Sequence, residues 1–190
     1  MIRLGVLGST RGTDLQAILD AIQNHTLDAE VVVVVSNRNK SYILERARHH
    51  NIQDVFVSQK GKTRDEFDRE ITATLLQHGA DLVLLIGFMR ILSAEFCQKW
   101  HDRILNVHPS LLPKYAGGMD NDIHEEVLRN GDVETGCTIH FVTEEVDAGP
   151  ILIKKKCTVA GKDTVESLKT KVQQLEGMAF IEAIKMIANK

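Results

Sequence analysis

Val31 to Val35 is an unbroken run of five valines. β-Branched side chains favour extended backbone, and a run without polar alternation suits a strand covered on both faces. Such a strand belongs to a sheet packed between helices, which requires strands and helices to alternate along the chain.

The sequence has that alternation. Apolar patterning predicts strands over 2–7, 55–57, 82–86 and 104–107, with helices over 15–22 and 43–50. Thr63 followed by Glu66 reads as a capping box that opens another helix. Over 108–121, Pro109, Pro113 and Gly117-Gly118 predict a long irregular loop, followed by a short helix over 123–129. Strands over 138–142 and 151–155, joined by an acidic loop ending in Gly149-Pro150, form an antiparallel pair. Asp163 with Glu166 is expected to cap a last helix whose apolar stripe is Val165, Leu168, Val172, Leu175 and Ala179. The expected fold class is α/β, a single domain over 1–190. Its mostly parallel, twisted sheet has a Rossmann-like N-terminal half and an antiparallel addition in the C-terminal half.

Composition narrows the function. With 190 residues, 43% of them hydrophobic, and a net charge of −3, the chain suits one compact domain without a global basic field. Between Asp120 and Asp147 nine acids face one base, Arg129. A polyanion such as nucleic acid is repelled there. Cys97, Cys137 and Cys157 have no short spacing, so they form neither a zinc knuckle nor a disulfide framework and read as small buried hydrophobes. No apolar run approaches a membrane span, and the N-terminus enters directly into a strand, so a cytoplasmic protein is expected.

Several motifs fail on inspection. Gly61-Lys62-Thr63 resembles the end of a phosphate-binding loop, but Phe56 stands where its first glycine belongs. His124-Glu125 begins a zinc-protease pattern, but Leu128 replaces the second histidine. His49 and His50 point in different directions on a helix. No metal is expected.

Two segments carry chemistry. In the turn from Gly8 to Asp14, small residues let backbone N–H groups converge on an anion at a helix start. An ordinary strand-to-helix turn with Thr13 or Asp14 as N-cap is an equal reading, and the Asp14 charge opposes an anion. The second segment runs from Leu105 to Pro113. Asn106 and His108, two apart at a strand end, project from one face, pairing an amide donor with a titratable ring. They are either a hydrogen-bonded strand end or half of a site. The loop Glu144-Glu145-Val146-Asp147 offers carboxylates that could raise the pKa of His108 and orient it. Amide, imidazole and carboxylate together suit a tetrahedral intermediate, holding an oxyanion and moving protons.

At Gly87-Phe88-Met89-Arg90-Ile91-Leu92-Ser93, at Asn106 to Tyr115, and at His140-Phe141-Val142-Thr143 leading into Asp147-Ala148-Gly149-Pro150, the sequence resembles the folate-dependent formyltransferase family. The likeness runs from the first strand to about Glu176. It implies 10-formyltetrahydrofolate as a consumed co-substrate, without metal or ATP. It also implies an acceptor bearing a primary amine and a ribose 5-phosphate, phosphoribosylglycinamide of purine synthesis. By resemblance, Asn106, His108 and Asp147 are the catalytic trio. Gly12, Thr13, Asp14, Gln173 and Glu176 take the phosphate and nucleotide. Arg64, Met89, Arg90, Ile91, Leu92, Asn106, Thr143, Glu144, Glu145, Val146 and Asp147 surround the folate. Residues 1–100 are then the phosphate and nucleotide half, and 101–190 the catalytic and folate half.

Three departures from the family pattern stand out. Asp14 replaces a common Asn, residues 116–122 form a longer loop, and Gly177-Met178 replaces a His-Pro. The rival readings are a related formyltransferase acting on another amine, a formyltetrahydrofolate hydrolase, a serine hydrolase built on Ser110, and a non-enzymatic anion-binding module. Small-molecule substrates are expected, with no nucleic acid and no membrane, and the protein as a monomer or homodimer.

Overall fold

The structure, a computed structural model, describes residues 1–118 and 120–188. Met119, in the long loop, lies outside the described residues. The N-terminal part alternates strictly. It runs β1 (Ile2–Leu7), α1 (Thr13–Gln23), β2 (Ala29–Ser36), α2 (Tyr42–His49), β3 (Asp54–Phe56), α3 (Arg64–Gln77), β4 (Leu82–Leu85), α4 (Ala94–Lys99) and β5 (Ile104–His108). Then follow α5 (Asp120–Arg129), β6 (Glu134–Phe141), β7 (Ile151–Thr158) and α6 (Val165–Ala188). One seven-stranded sheet has the order β3-β2-β1-β4-β5-β6-β7. The first five strands pair in parallel, while β6 and β7 are antiparallel. The expected α/β class and its antiparallel addition are both present.

The valine run shows why the sheet must be covered twice. Val31 and Val34 enter one core, with residues of α1, α2 and α6. Val33 and Val35 enter the other, with Phe67, Ile71 and Leu75 of α3 and Phe96 of α4. The register jumps between Leu4↔Val31 and Gly5↔Val33, so Val32 is the extra residue of a bulge. Helix α6 lies along α1, and Gly177 makes the approach possible: a Cβ there would sit 2.6 Å from that of Ala17. Among the described residues, no helix is long and apolar enough to cross a membrane.

Local expectations meet three corrections. Gly12, left-handed at φ 66°, is the N-cap of α1, so neither Thr13 nor Asp14 caps it. Helix α6 is capped by Thr164, which exchanges hydrogen bonds with Ser167. Asp163 instead holds the Ala160 N–H and Lys171, and its carboxyl is drawn down to about 2, chiefly by Lys171. Helix α4 lies where the apolar pattern predicts no helix. It is short, and its signal is Ser93, whose hydroxyl accepts the Phe96 N–H. The Thr63–Glu66 capping box is formed as expected.

Candidate active site

Strand β5 is where parallel pairing gives way to antiparallel, with β4 on one side and β6 on the other. That register sets Asn106 opposite His140 and His108 opposite Thr138. Thr138 stitches down the loop after β5: its hydroxyl donates to Ser110 O at 2.7 Å and accepts the Leu112 N–H at 3.0 Å.

His108 is only 4% exposed. Its Nδ1 lies 3.2 Å from Asp147 Oδ2, and its Nε2 lies 2.9 Å from the Tyr115 carbonyl. Both neighbours are acceptors, so the doubly protonated ring alone satisfies both contacts. Burial opposes that charge and outweighs Asp147 and Tyr115, which leaves the imidazole below its ordinary value. The sequence predicted an upward pull from a carboxylate. That pull exists, but desolvation is larger.

Asp147 is the carboxylate that reaches His108. Glu144 accepts from Gln98 Nε2 at 3.0 Å, and Glu145 is exposed. Asp147 adopts a left-handed backbone at φ 55°, and its Oδ2 also accepts the Gly117 N–H at 2.9 Å. Burial by itself raises this carboxyl. The contacts from His140, Gly117 and His108 overcome it and hold it below the usual carboxylate range.

Sequence reasoning missed two participants. His140 lies 3.2 Å from the Asn106 amide nitrogen and 3.5 Å from Asp147 Oδ1. Tyr115, left-handed at φ 61°, presents its carbonyl to His108 while its hydroxyl donates to Asp132 at 2.8 Å. Lys114 pairs with the same carboxylate at 2.6 Å and draws Asp132 below its ordinary value. The turn at 115–117 therefore caps both His108 and Asp147 with backbone groups. His140 opens the His140-Phe141-Val142-Thr143 stretch of the sequence, but only the β5–β6 register reveals its neighbours.

The other expected residues divide by position. The turn after β1 and the loop after β4 are tied together: the Ser9 N–H donates to Gly87 O at 3.0 Å, and the Met89 N–H donates to Ser9 Oγ at 3.2 Å. Both lie at carboxyl ends of parallel strands, where open α/β sheets bind ligands. Met89, Ile91 and Val146 are exposed, whereas Leu92 is buried in the second core. Arg64 is exposed at the start of α3. Arg90 stacks 4.5 Å from the Phe67 ring centre and donates to Gln59 at 2.5 Å. Buried Asp68, pushed up by desolvation, accepts the Ser93 N–H at 2.6 Å and so fixes the end of this segment. Thr143 donates to Glu145 O at 3.2 Å within its own loop. Gln173 is half-buried on α6. Asp14 and Glu176 are both buried, on α1 and α6, the two helices that pack together where Gly177 meets Ala17, and both help burial to raise the Cys137 thiol. Among the described residues, no group of three His, Cys, Asp or Glu side chains could hold a metal ion.

Known proteins resemble this chain in sequence and in fold. The family described as Formyl transferase matches residues 2–184. The phosphoribosylglycinamide formyltransferase of Escherichia coli is 38% identical over 97% of this chain and 86% of its own length. The trifunctional purine biosynthetic protein adenosine-3 of Chironomus tentans is 41% identical over 98% of this chain, which spans only 14% of that protein. The crystal structure of glycinamide ribonucleotide transformylase 1 from Symbiobacterium toebii superposes with a TM-score of 0.94 and 39% identity, covering all of this chain and 88% of that one. With the family match and the superposition both running from the first strand into the last helix, the chain belongs to the formyl transferase family.

Proposed function

We propose that this chain transfers the formyl group of 10-formyltetrahydrofolate to the amine of phosphoribosylglycinamide, a step of purine biosynthesis, in the cytoplasm. The buried His108–Asp147 pair, on the same strand face as Asn106, carries this reading. Attack of the amine on the formyl carbon moves an electron pair onto the formyl oxygen. The Asn106 amide and the His108 ring are the donors for that oxyanion. Charge on the oxygen offsets the desolvation that disfavours the imidazolium, and Asp147 stabilises the ring from behind. For Nε2 to serve, the Tyr115 carbonyl gives up its place to the formyl oxygen. Collapse breaks the bond to the folate nitrogen, which takes up the proton lost by the amine, relayed with the help of His108 and Asp147. No step calls on a metal or ATP.

The acceptor phosphate is assigned to the backbone around Gly12, Thr13 and Asp14, with Gln173 and Glu176 reaching from α6. Exposed Met89, Ile91 and Val146 give the folate apolar surface to cover, with Arg64, Arg90 and residues 143–147 around it. The substrates are small molecules, with neither nucleic acid nor membrane as partner. Incubation with both substrates followed by mass spectrometry should detect formylated phosphoribosylglycinamide. Release of formate with the amine left unmodified would mark a hydrolase and overturn the proposal.

A further inference from the structure

His140 has a definable task if Asn106 is the oxyanion donor, a reading on which the following rests. The Phe141 carbonyl can only accept, so its 2.9 Å contact with His140 Nδ1 requires the proton to be on that nitrogen. In the neutral ring, Nε2 is then an acceptor. It faces the Asn106 amide nitrogen at 3.2 Å, from the directly opposite position on β6. A proton on Nε2 would instead go to Asp147 Oδ1, at 3.5 Å, the contact that helps hold that carboxyl down; the Asn106 amide is nearer, and the close partners of the carboxylate, His108 Nδ1 and the Gly117 N–H, lie on its other oxygen. Among the described residues, the Asn106 side chain has no other hydrogen bond.

We propose that His140 is a positioning residue that fixes which way the Asn106 amide points. An acceptor at Nε2 selects the NH2 end and turns Oδ1 away. The amide nitrogen carries two protons, so one is held by His140 and the second remains for the formyl oxygen. A reversed amide would set two lone pairs against each other at a ring that is only 2% exposed. It would also present an acceptor where the reaction develops negative charge.

Long-range nitrogen–proton NMR on the 15N-labelled protein at neutral pH tests the tautomer, with the His140 signals identified by their loss in His140→Gln. The proton is expected on Nδ1 with Nε2 bare, and a proton on Nε2 overturns the proposal. Kinetics test the consequence. His140→Leu offers no acceptor and should lower kcat about 100-fold, with KM changed less than about threefold. His140→Gln restores an acceptor oxygen and should recover kcat to within about tenfold of wild type. In an Asn106→Ala background, His140→Leu should cause no further loss. A second, additive loss means that His140 acts elsewhere and overturns the proposal. Wild-type turnover in Asn106→Ala itself refutes the oxyanion reading and takes the positioning role with it, whereas the NMR result alone decides the hydrogen bond.

Discussion

At the scale of single residues, the proposed chemistry depends on two donors serving one oxygen. Asn106→Ala and His108→Ala should each fold and each lose about 100- to 1000-fold in kcat, measured as steady-state formyl transfer. The double variant should lose far less than the product of the two, because both groups stabilise one charge. Asp147→Asn removes the charge that raises the His108 ring and leaves the desolvation that lowers it. The His108 titration midpoint, followed by NMR, should fall below wild type, and the pH dependence of turnover should move toward acid. An unchanged midpoint would separate Asp147 from His108. Asn106 and His108 were legible as a pair because their chemistry resides in side-chain type and in a spacing of two along a strand. Tyr115 and Gly117 were not, since they act through a carbonyl and an N–H that every residue possesses. The choice among Glu144, Glu145 and Asp147 also lay beyond sequence, because a left-handed turn at Asp147 decides which carboxylate faces inward.

At the scale of elements, β6 and the loop that follows it form one device. Gly149 is packed so closely that a Cβ would lie 1.8 Å from the Phe141 carbonyl oxygen, the atom that also receives the His140 Nδ1 proton. Gly149→Ala must displace either the loop bearing Asp147 or the end of β6. We expect a loss of about 1–3 kcal/mol in urea denaturation, together with a kcat loss that Asn106→Ala partly masks. Wild-type stability and turnover would mean that the contact yields freely. The strands and long helices were readable because their burial repeats regularly: β-branched runs for strands covered twice, a 3.6-residue stripe for α6. Short α4 and the N-cap at Gly12 were not. One falls below the length at which periodicity speaks, and the other depends on a backbone angle rather than on a capping side chain.

At the scale of the whole molecule, the buried ionisable pair ties stability to pH. The folded protein holds His108 below its ordinary 6.5, so the unfolded chain binds that proton more strongly. Stability is therefore full above that value and falls as the pH drops from it toward the folded value. Asp147, held below 3.8, adds stability that is lost as the pH falls through its folded value. Both slopes run the same way. Urea midpoints should decline from pH 7 toward pH 4, and His108→Gln should flatten the upper part of that decline. An identical slope in the variant would remove His108 as its cause. The close crossing of α6 over α1 at Gly177 carries a consequence for biosynthesis. The turn at Gly12 leaves the ribosome about 160 residues ahead of Gln173 and Glu176, its proposed partners around the acceptor phosphate. A nascent chain can therefore build β1 through β5 yet offer the acceptor only half a grip. Substrate can rescue a destabilised variant once α6 has docked, but it cannot act as a template for the chain while it is still being made.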